Sequence, residues 1–216
     1  MPNYNNGQIY EEIINEILIK RGLLPNVLHG NDSGFLHKGK SYYLEIKNKS
    51  APDFGQRGLV WSADKGWEWR KEDLITQMLD EIRIKDLINP NFSPRRYLKQ
   101  KEKITVEDRK YDQHIFEKSG IPLSKINLLY EYYAMKGCYY IQRENKGFYY
   151  LKHDIAQLTV PQFKATLTVR LRAKTHHSRP MYKYSFFAVI NAYTRNIKKS
   201  DFDIEERIGA FPPIKI

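Results

Sequence analysis

The stretch Asp32-Ser-Gly-Phe-Leu-His-Lys-Gly-Lys-Ser-Tyr-Tyr-Leu-Glu-Ile-Lys47 constrains this chain more than any other. It predicts two short strands, over 33–37 and 41–48, joined by a turn at Lys38-Gly39-Lys40. Successive strand side chains point to opposite faces, so Tyr43, Glu45 and Lys47 share one side and Leu44 and Ile46 the other. The apolar side can enter a core. A carboxylate and an ammonium are then left about 7 Å apart along one strand. With the acid Asp32 alongside, two carboxylates converge beside one cation. Such a set can hold a divalent metal and activate water against a phosphodiester.

The rest of the composition agrees with a folded protein that meets a polyanion. The chain has 216 residues, of which 41% are hydrophobic, enough for a core and for one domain with an elaboration. No apolar run approaches the length of a membrane span. The polar opening Met-Pro-Asn-Tyr-Asn-Asn-Gly lacks the basic-then-apolar layout of a signal peptide, so a cytoplasmic location without a membrane partner is expected. The single Cys138 excludes an internal disulfide and a multi-cysteine zinc site. Thirty-six Lys and Arg against 25 Asp and Glu give +11. Excess positive charge favours nucleic acid as the partner, and 16 Tyr and three Trp supply rings that can stack on bases.

Along the chain, a helix is predicted over 8–21, with Ile9, Ile13, Ile17 and Leu18 at helical spacing and Gly22 as its stop. Residues 50–70 read as a loop carrying short extended pieces at 59–61 and 67–69. A second helix is expected over 73–88, burying Leu74, Ile75, Met78, Leu79 and Ile82. A third, over 122–136, turns Ile126, Leu129, Tyr130 and Tyr133 inward. A hairpin follows at 138–152 around an Asn145-Lys-Gly147 turn, and then strands at 167–174 and 182–190. The expected architecture is α/β (α+β): one central mixed β-sheet flanked by helices, with a β-rich C-terminal half. Residues 1–216 are read as a single domain. Within it, 1–88 form a core, 89–119 a basic insert or linker, and 120–216 the remaining strands. From Arg95 to Lys110 that insert carries seven Lys or Arg against three acids.

Glu45-x-Lys47, the preceding Asp32, and Glu11 on the first helix together resemble the PD-(D/E)xK nuclease superfamily, and type II restriction endonucleases in particular. The resemblance covers roughly residues 7–48. Gly7-x-x-x-Glu11, followed by Ile17-Leu18 and Gly22, is similar to the Holliday-junction resolvase branch. Asn31 stands where the family's name asks for proline. The resemblance implies a restriction-endonuclease-like fold and a catalytic set of Asp32, Glu45, Lys47 and Glu11. Mg²⁺ would be ligated by Asp32, Glu45 and the main-chain carbonyl of Ile46. Lys47 would orient the attacking water or neutralise charge developing on the phosphate.

Other patterns compete with this one. Pro52-Asp53 with Glu68-Trp-Arg70 forms a rival acid and acid–x–base set, but Arg cannot give up a proton as Lys can. Gln56 and Gln77 are candidate phosphate contacts. The pair His176 and His177 lacks acids at ligand spacing, and Cys138 reads as a core residue.

DNA contacts are expected from Arg170, Arg172 and Lys174, which share a strand face with Thr166 and Thr168. The loop residues His176, His177 and Arg179 and the basic pair Arg95 and Arg96 complete the set. The expected function is a Mg²⁺-dependent, sequence-specific double-stranded DNA endonuclease of the type II restriction kind. It would act as a homodimer and be accompanied by a DNA methyltransferase for the same site. The alternatives are a structure-specific nuclease, such as a Holliday-junction resolvase or repair enzyme, and a non-catalytic nucleic-acid-binding module on the same fold.

Overall fold

A computed structural model describes residues 6–24, 33–50, 53–88, 97, 104–107, 120–123, 127–176, 183–193 and 197–206. In chain order the elements are α1 (Asn6–Lys20), β1 (Ser33–His37), β2 (Lys40–Lys47), β3 (Asp53–Ser62), β4 (Gly66–Trp69), α2 (Leu74–Glu81) and α3 (Ile84–Leu87). They continue with β5 (Gly120–Pro122), α4 (Leu128–Met135), β6 (Cys138–Arg143), β7 (Gly147–Tyr150), β8 (Thr166–His176) and β9 (Lys183–Tyr193). The content is mixed α and β. Where the sequence predicts one central sheet, the strands divide between a four-stranded sheet, β1-β2-β6-β7, and a five-stranded sheet, β4-β3-β9-β8-β5. No described helix is long and apolar enough to cross a membrane.

The chain forms two compact, interleaved units, residues 1–52, 127–165 and 193–216 in one and 53–126 and 166–192 in the other. These limits differ from the expected division at 88 and 120. The segment expected as a basic linker, 89–119, lies almost wholly outside the described residues.

The first unit begins with α1, which buries Tyr10, Ile14 and Leu18. Of the predicted stripe, Leu18 is buried and Ile17 packs against the core, whereas Ile9 and Ile13 are 44% and 45% exposed and Tyr10 and Ile14 are buried in their place. Both stripes are apolar at helical spacing. The rotation is set by Tyr10, whose hydroxyl meets polar partners inside the unit. Gly22, at φ +67°, ends the helix, with bonds from Gly22 N to Ile19 O and from Leu23 N to Leu18 O closing its last turn. Lys38 and Gly39 both have positive φ, the two-residue turn that matches strand twist, and lock β1 antiparallel to β2.

Between β2 and its parallel neighbour β6 the chain passes through the second unit's first segment and then α4. Helix α4 begins at Leu128, not 122, and buries Leu128, Leu129, Tyr132 and Tyr133. The β6–β7 hairpin forms as predicted. Its core is aromatic: Phe35 stacks on Tyr42 at 5.4 Å and meets the edges of Tyr140 and Phe148 at 5.3 and 5.6 Å. Such pairs add about 0.5–1.5 kcal/mol each beyond their burial.

In the second unit, residues 53–69 form a hairpin instead of a loop. Glycine does not break β3, because Gly58 makes room: a Cβ there would lie 3.3 Å from the Arg70 side chain. The predicted helix over 73–88 divides in two. Asp73 caps α2 with bonds from Ile75 N and Thr76 N, and Arg83 at φ 56° separates α2 from α3. Strand β8 buries Leu167, Val169, Leu171 and Ala173 as predicted, and Thr168 of the expected polar face is buried too.

Gly147 leaves no room for a side chain. Its φ is +98°, and a Cβ there would sit 2.4 Å from the Phe202 carbonyl oxygen, which already accepts from Phe148 N. Gly147→Ala is expected to cost at least about 2 kcal/mol, through strain and loss of that bond. A lowered urea midpoint at unchanged slope would show it, and an unchanged midpoint would contradict it.

Candidate active site

Strand β2 sorts its side chains as its alternation requires. Leu44, 2% exposed, enters the core with Tyr10, Ile14, Leu18 and Phe35, and Ile46 packs against the same cluster. Glu45 and Lys47 therefore project from the opposite face, which α4 covers through Tyr133. There the Lys47 Nζ lies 2.5 Å from Glu45 Oε1, with the two side chains 20% and 17% exposed. The buried Tyr133 hydroxyl also hydrogen-bonds to Glu45.

Glu45 is thus held from two directions while retaining a path to solvent. Burial, and then the charge of Glu45, pushes the Tyr133 hydroxyl well above its ordinary pKa. The same two causes, in the same order, push the Cys138 thiol up to about 12. Both neighbours stay protonated at neutral pH.

Glu11, expected in the same set, meets β1 instead. Glu11 accepts a 3.1 Å bond from Ser33 Oγ. Ser33 is the first residue of β1 and pairs with Leu44, the residue before Glu45. Ser33 shares the core face with Leu44, so Glu11 lies on the α1 side of the hairpin, across the sheet from Glu45 and Lys47, and is not brought together with them. Asp32, the residue joined to Ser33 and expected as the second metal-binding carboxylate, lies outside the described residues.

The backbone just past Lys47 is tightly held. Arg143, 3% exposed, donates to Lys47 O at 3.2 Å and to Lys49 O at 2.7 Å. Glu144 N bonds to Lys47 O, and Lys49 N donates to the Glu144 carboxylate at 2.7 Å. Burial lowers the Arg143 pKa from its usual value. Beside this clamp a hollow of about 310 Å³ opens between α1 and residues 48–50. The sequence pattern missed Tyr133, Arg143 and Glu144, whose roles arise from a helix and a strand some 90 residues downstream of Lys47.

The other expected site residues fare differently. Arg170 and Arg172 do not form a cationic face without counter-charge. Arg170 Nη2 donates to both oxygens of Asp53, at 2.8 and 2.9 Å, and Arg172 Nη1 donates at 3.0 Å. The alternation of β8 was legible, but the acid brought opposite it by β3 was not. Lys174 is exposed, and His176 ends β8. Arg95, Arg96, His177 and Arg179 lie outside the described residues. The rival set is excluded by register. Glu68 pairs with Val60, about 23 Å along β3 from Asp53.

Among the described residues no three His, Cys, Asp or Glu side chains gather closely enough to hold a metal. No family model, curated protein or solved structure matches the chain.

A second pair of acids, Asp203 and Glu205, lies on the α1 side of the sheet and is already engaged. Gln142 Nε2 donates to Asp203 at 2.6 Å and to the Tyr10 hydroxyl at 3.1 Å, and Tyr10 donates to Glu205 at 2.9 Å. Burial, then the charge of Asp203, raises the Glu205 pKa above 4.5, against the opposing pull of the Tyr10 bond. Its stabilising contribution is therefore complete below pH 4.5 and is lost as pH rises through the folded value. Glu205→Gln keeps an acceptor for Tyr10 without the charge. It is expected to raise stability at neutral pH and to match the parent below pH 4.5, as read by denaturation at both pH values. A loss of stability at neutral pH would contradict this.

Proposed function

We propose that this protein is a Mg²⁺-dependent DNA endonuclease of the PD-(D/E)xK kind, with Glu45 and Lys47 at its active centre. The observation that carries the reading is the close Glu45–Lys47 pair on the sheet face opposite the core, with the carboxylate also held by Tyr133. The order helix, hairpin, helix and parallel strand around this pair supports a restriction-endonuclease-like arrangement for the first unit.

The donors available suit a hard cation. They are the Glu45 carboxylate and the Ile46 carbonyl, with Asp32 expected beside them, while the only thiol is buried and protonated. Mg²⁺, when bound, supplies charge that polarises the scissile phosphate and makes water more acidic. Tyr133 fixes one side of the Glu45 carboxylate. Lys47 lies close enough to Glu45 to share its site, and it offers an ammonium to the attacking water or to the phosphate oxygens. Arg143 and Glu144 hold the strand end so that these side chains keep their positions. The net charge of +11 favours approach to DNA.

Within this reading we favour a type II restriction enzyme acting as a homodimer on duplex DNA, partnered by a methyltransferase that protects the same site. Incubation of plasmid with the protein and Mg²⁺ tests it. Discrete bands are expected. Cutting confined to branched substrates would favour a resolvase, and binding without cleavage under any divalent metal would favour a non-catalytic module.

Glu45→Ala is expected to reduce cleavage to background, and Lys47→Ala to reduce it on the order of a hundredfold or more. Both should retain DNA binding in a mobility-shift assay. Parent-like cutting by either variant would remove this pair from the active centre.

A further inference from the structure

A basic hollow of about 490 Å³ in the first unit has no role in the chemistry above. Its floor is Tyr149 and Tyr150 of β7, and one wall is Pro161-Gln162, where Gln162 pairs with Tyr150 as an isolated bridge. The other wall, residues 197–201, is tied down from several directions. The Tyr149 hydroxyl donates to Lys198 O at 2.7 Å and accepts from Ser200 N at 3.1 Å. Ser200 N also bonds to Lys146 O, and Lys146 Nζ bonds to Ile197 O at 2.9 Å. The cavity is therefore shaped by fixed backbone, not by pliable side chains.

Its rim is cationic. Lys164, Lys198 and Lys199 line it against one acid, Asp201. Lys199 is occupied by Glu206 at 3.1 Å. Lys164 and Lys198 are exposed and have no ion-pair partner among the described residues. Two ammonium groups with no ion-pair partner among the described residues, over a tyrosine-floored hollow, suit an extended polyanion better than a neutral ligand.

The register relates this hollow to the candidate active centre. Glu45 pairs with Ile141, and Ile141 pairs with Tyr149. Cross-strand partners share a face, so buried Tyr149 lies on the same side of the sheet as Glu45, and Tyr150, which pairs with Tyr140, on the other. The hollow sits at the β7 edge, two strand spacings or about 10 Å from Glu45's strand. A single nucleic-acid molecule can reach both. We propose that this hollow holds the phosphodiester backbone of the bound DNA, with Lys164 and Lys198 as its phosphate contacts. The proposal deepens the nuclease reading and rests on it.

The test compares three full-length proteins: the parent, Lys164→Glu/Lys198→Glu, and the charge-matched control Lys38→Glu/Lys40→Glu on the β1–β2 turn. Affinity for a short fluorescent duplex is measured by anisotropy across a salt series with divalent metal removed, and thermal melting verifies that each protein is folded. The hollow variant is expected to bind at least about tenfold more weakly than the control, with a log–log salt slope shallower by about 2. The neutral pair Lys164→Gln/Lys198→Gln should show the same slope change and serves in its place should the reversed charges impair folding. Parent-like affinity and slope in the hollow variant, or equal losses in the hollow and control variants, would overturn the proposal. If the parent cleaves plasmid while the hollow variant binds normally, the hollow fails and the nuclease reading stands. If the folded parent binds no duplex at all, both fail.

Discussion

One face of β2 is committed to the core, and the rest of the candidate site depends on that commitment. Leu44 is almost completely buried with three residues of α1 and the aromatic cluster around Phe35. Because strand side chains alternate, fixing Leu44 inward fixes Glu45 outward, and a slip of one residue would exchange their environments. The turn at Lys38-Gly39 prevents that slip by setting the register of β1 on β2. Glu45 and Lys47 therefore meet where two independent constraints, burial and turn geometry, agree.

What surrounds the pair turns proximity into a defined arrangement. A surface ion pair alone contributes little and holds its members loosely. Here the carboxylate has a second donor in buried Tyr133, and the strand end beyond Lys47 is pinned by Arg143 and Glu144. Burial keeps Tyr133 and Cys138 protonated beside that carboxylate. These contacts come from α4 and β6, which follow a long excursion through the second unit. The Glu45–Lys47 pair and the groups that hold it are thus supplied by distant parts of the chain.

That division explains how much the sequence disclosed. The hairpin, the outward Glu45 and Lys47, the β6–β7 turn and the alternation of β8 all follow from local patterns, and the structure contains them. Local patterns failed where a distant partner decides. The α1 stripe is rotated because Tyr10 bonds with Gln142 and Glu205. Residues 53–62 form a full strand because Gly58 accommodates Arg70 and β9 pairs alongside. The cations of β8 are countered because β3 brings Asp53 to Arg170 and Arg172. The rival acid set looked comparable in sequence and is separated by most of a strand in space.

The central claim is that Asp32 and Glu45 together bind one hydrated divalent cation beside Lys47. Electron paramagnetic resonance of Mn²⁺ titrated into the protein in the presence of uncleaved duplex tests it without reference to turnover. Bound Mn²⁺ is expected in the parent and its loss in Asp32→Ala and in Glu45→Ala, with folding and DNA binding retained. Equal Mn²⁺ binding by the parent and by both variants would contradict it.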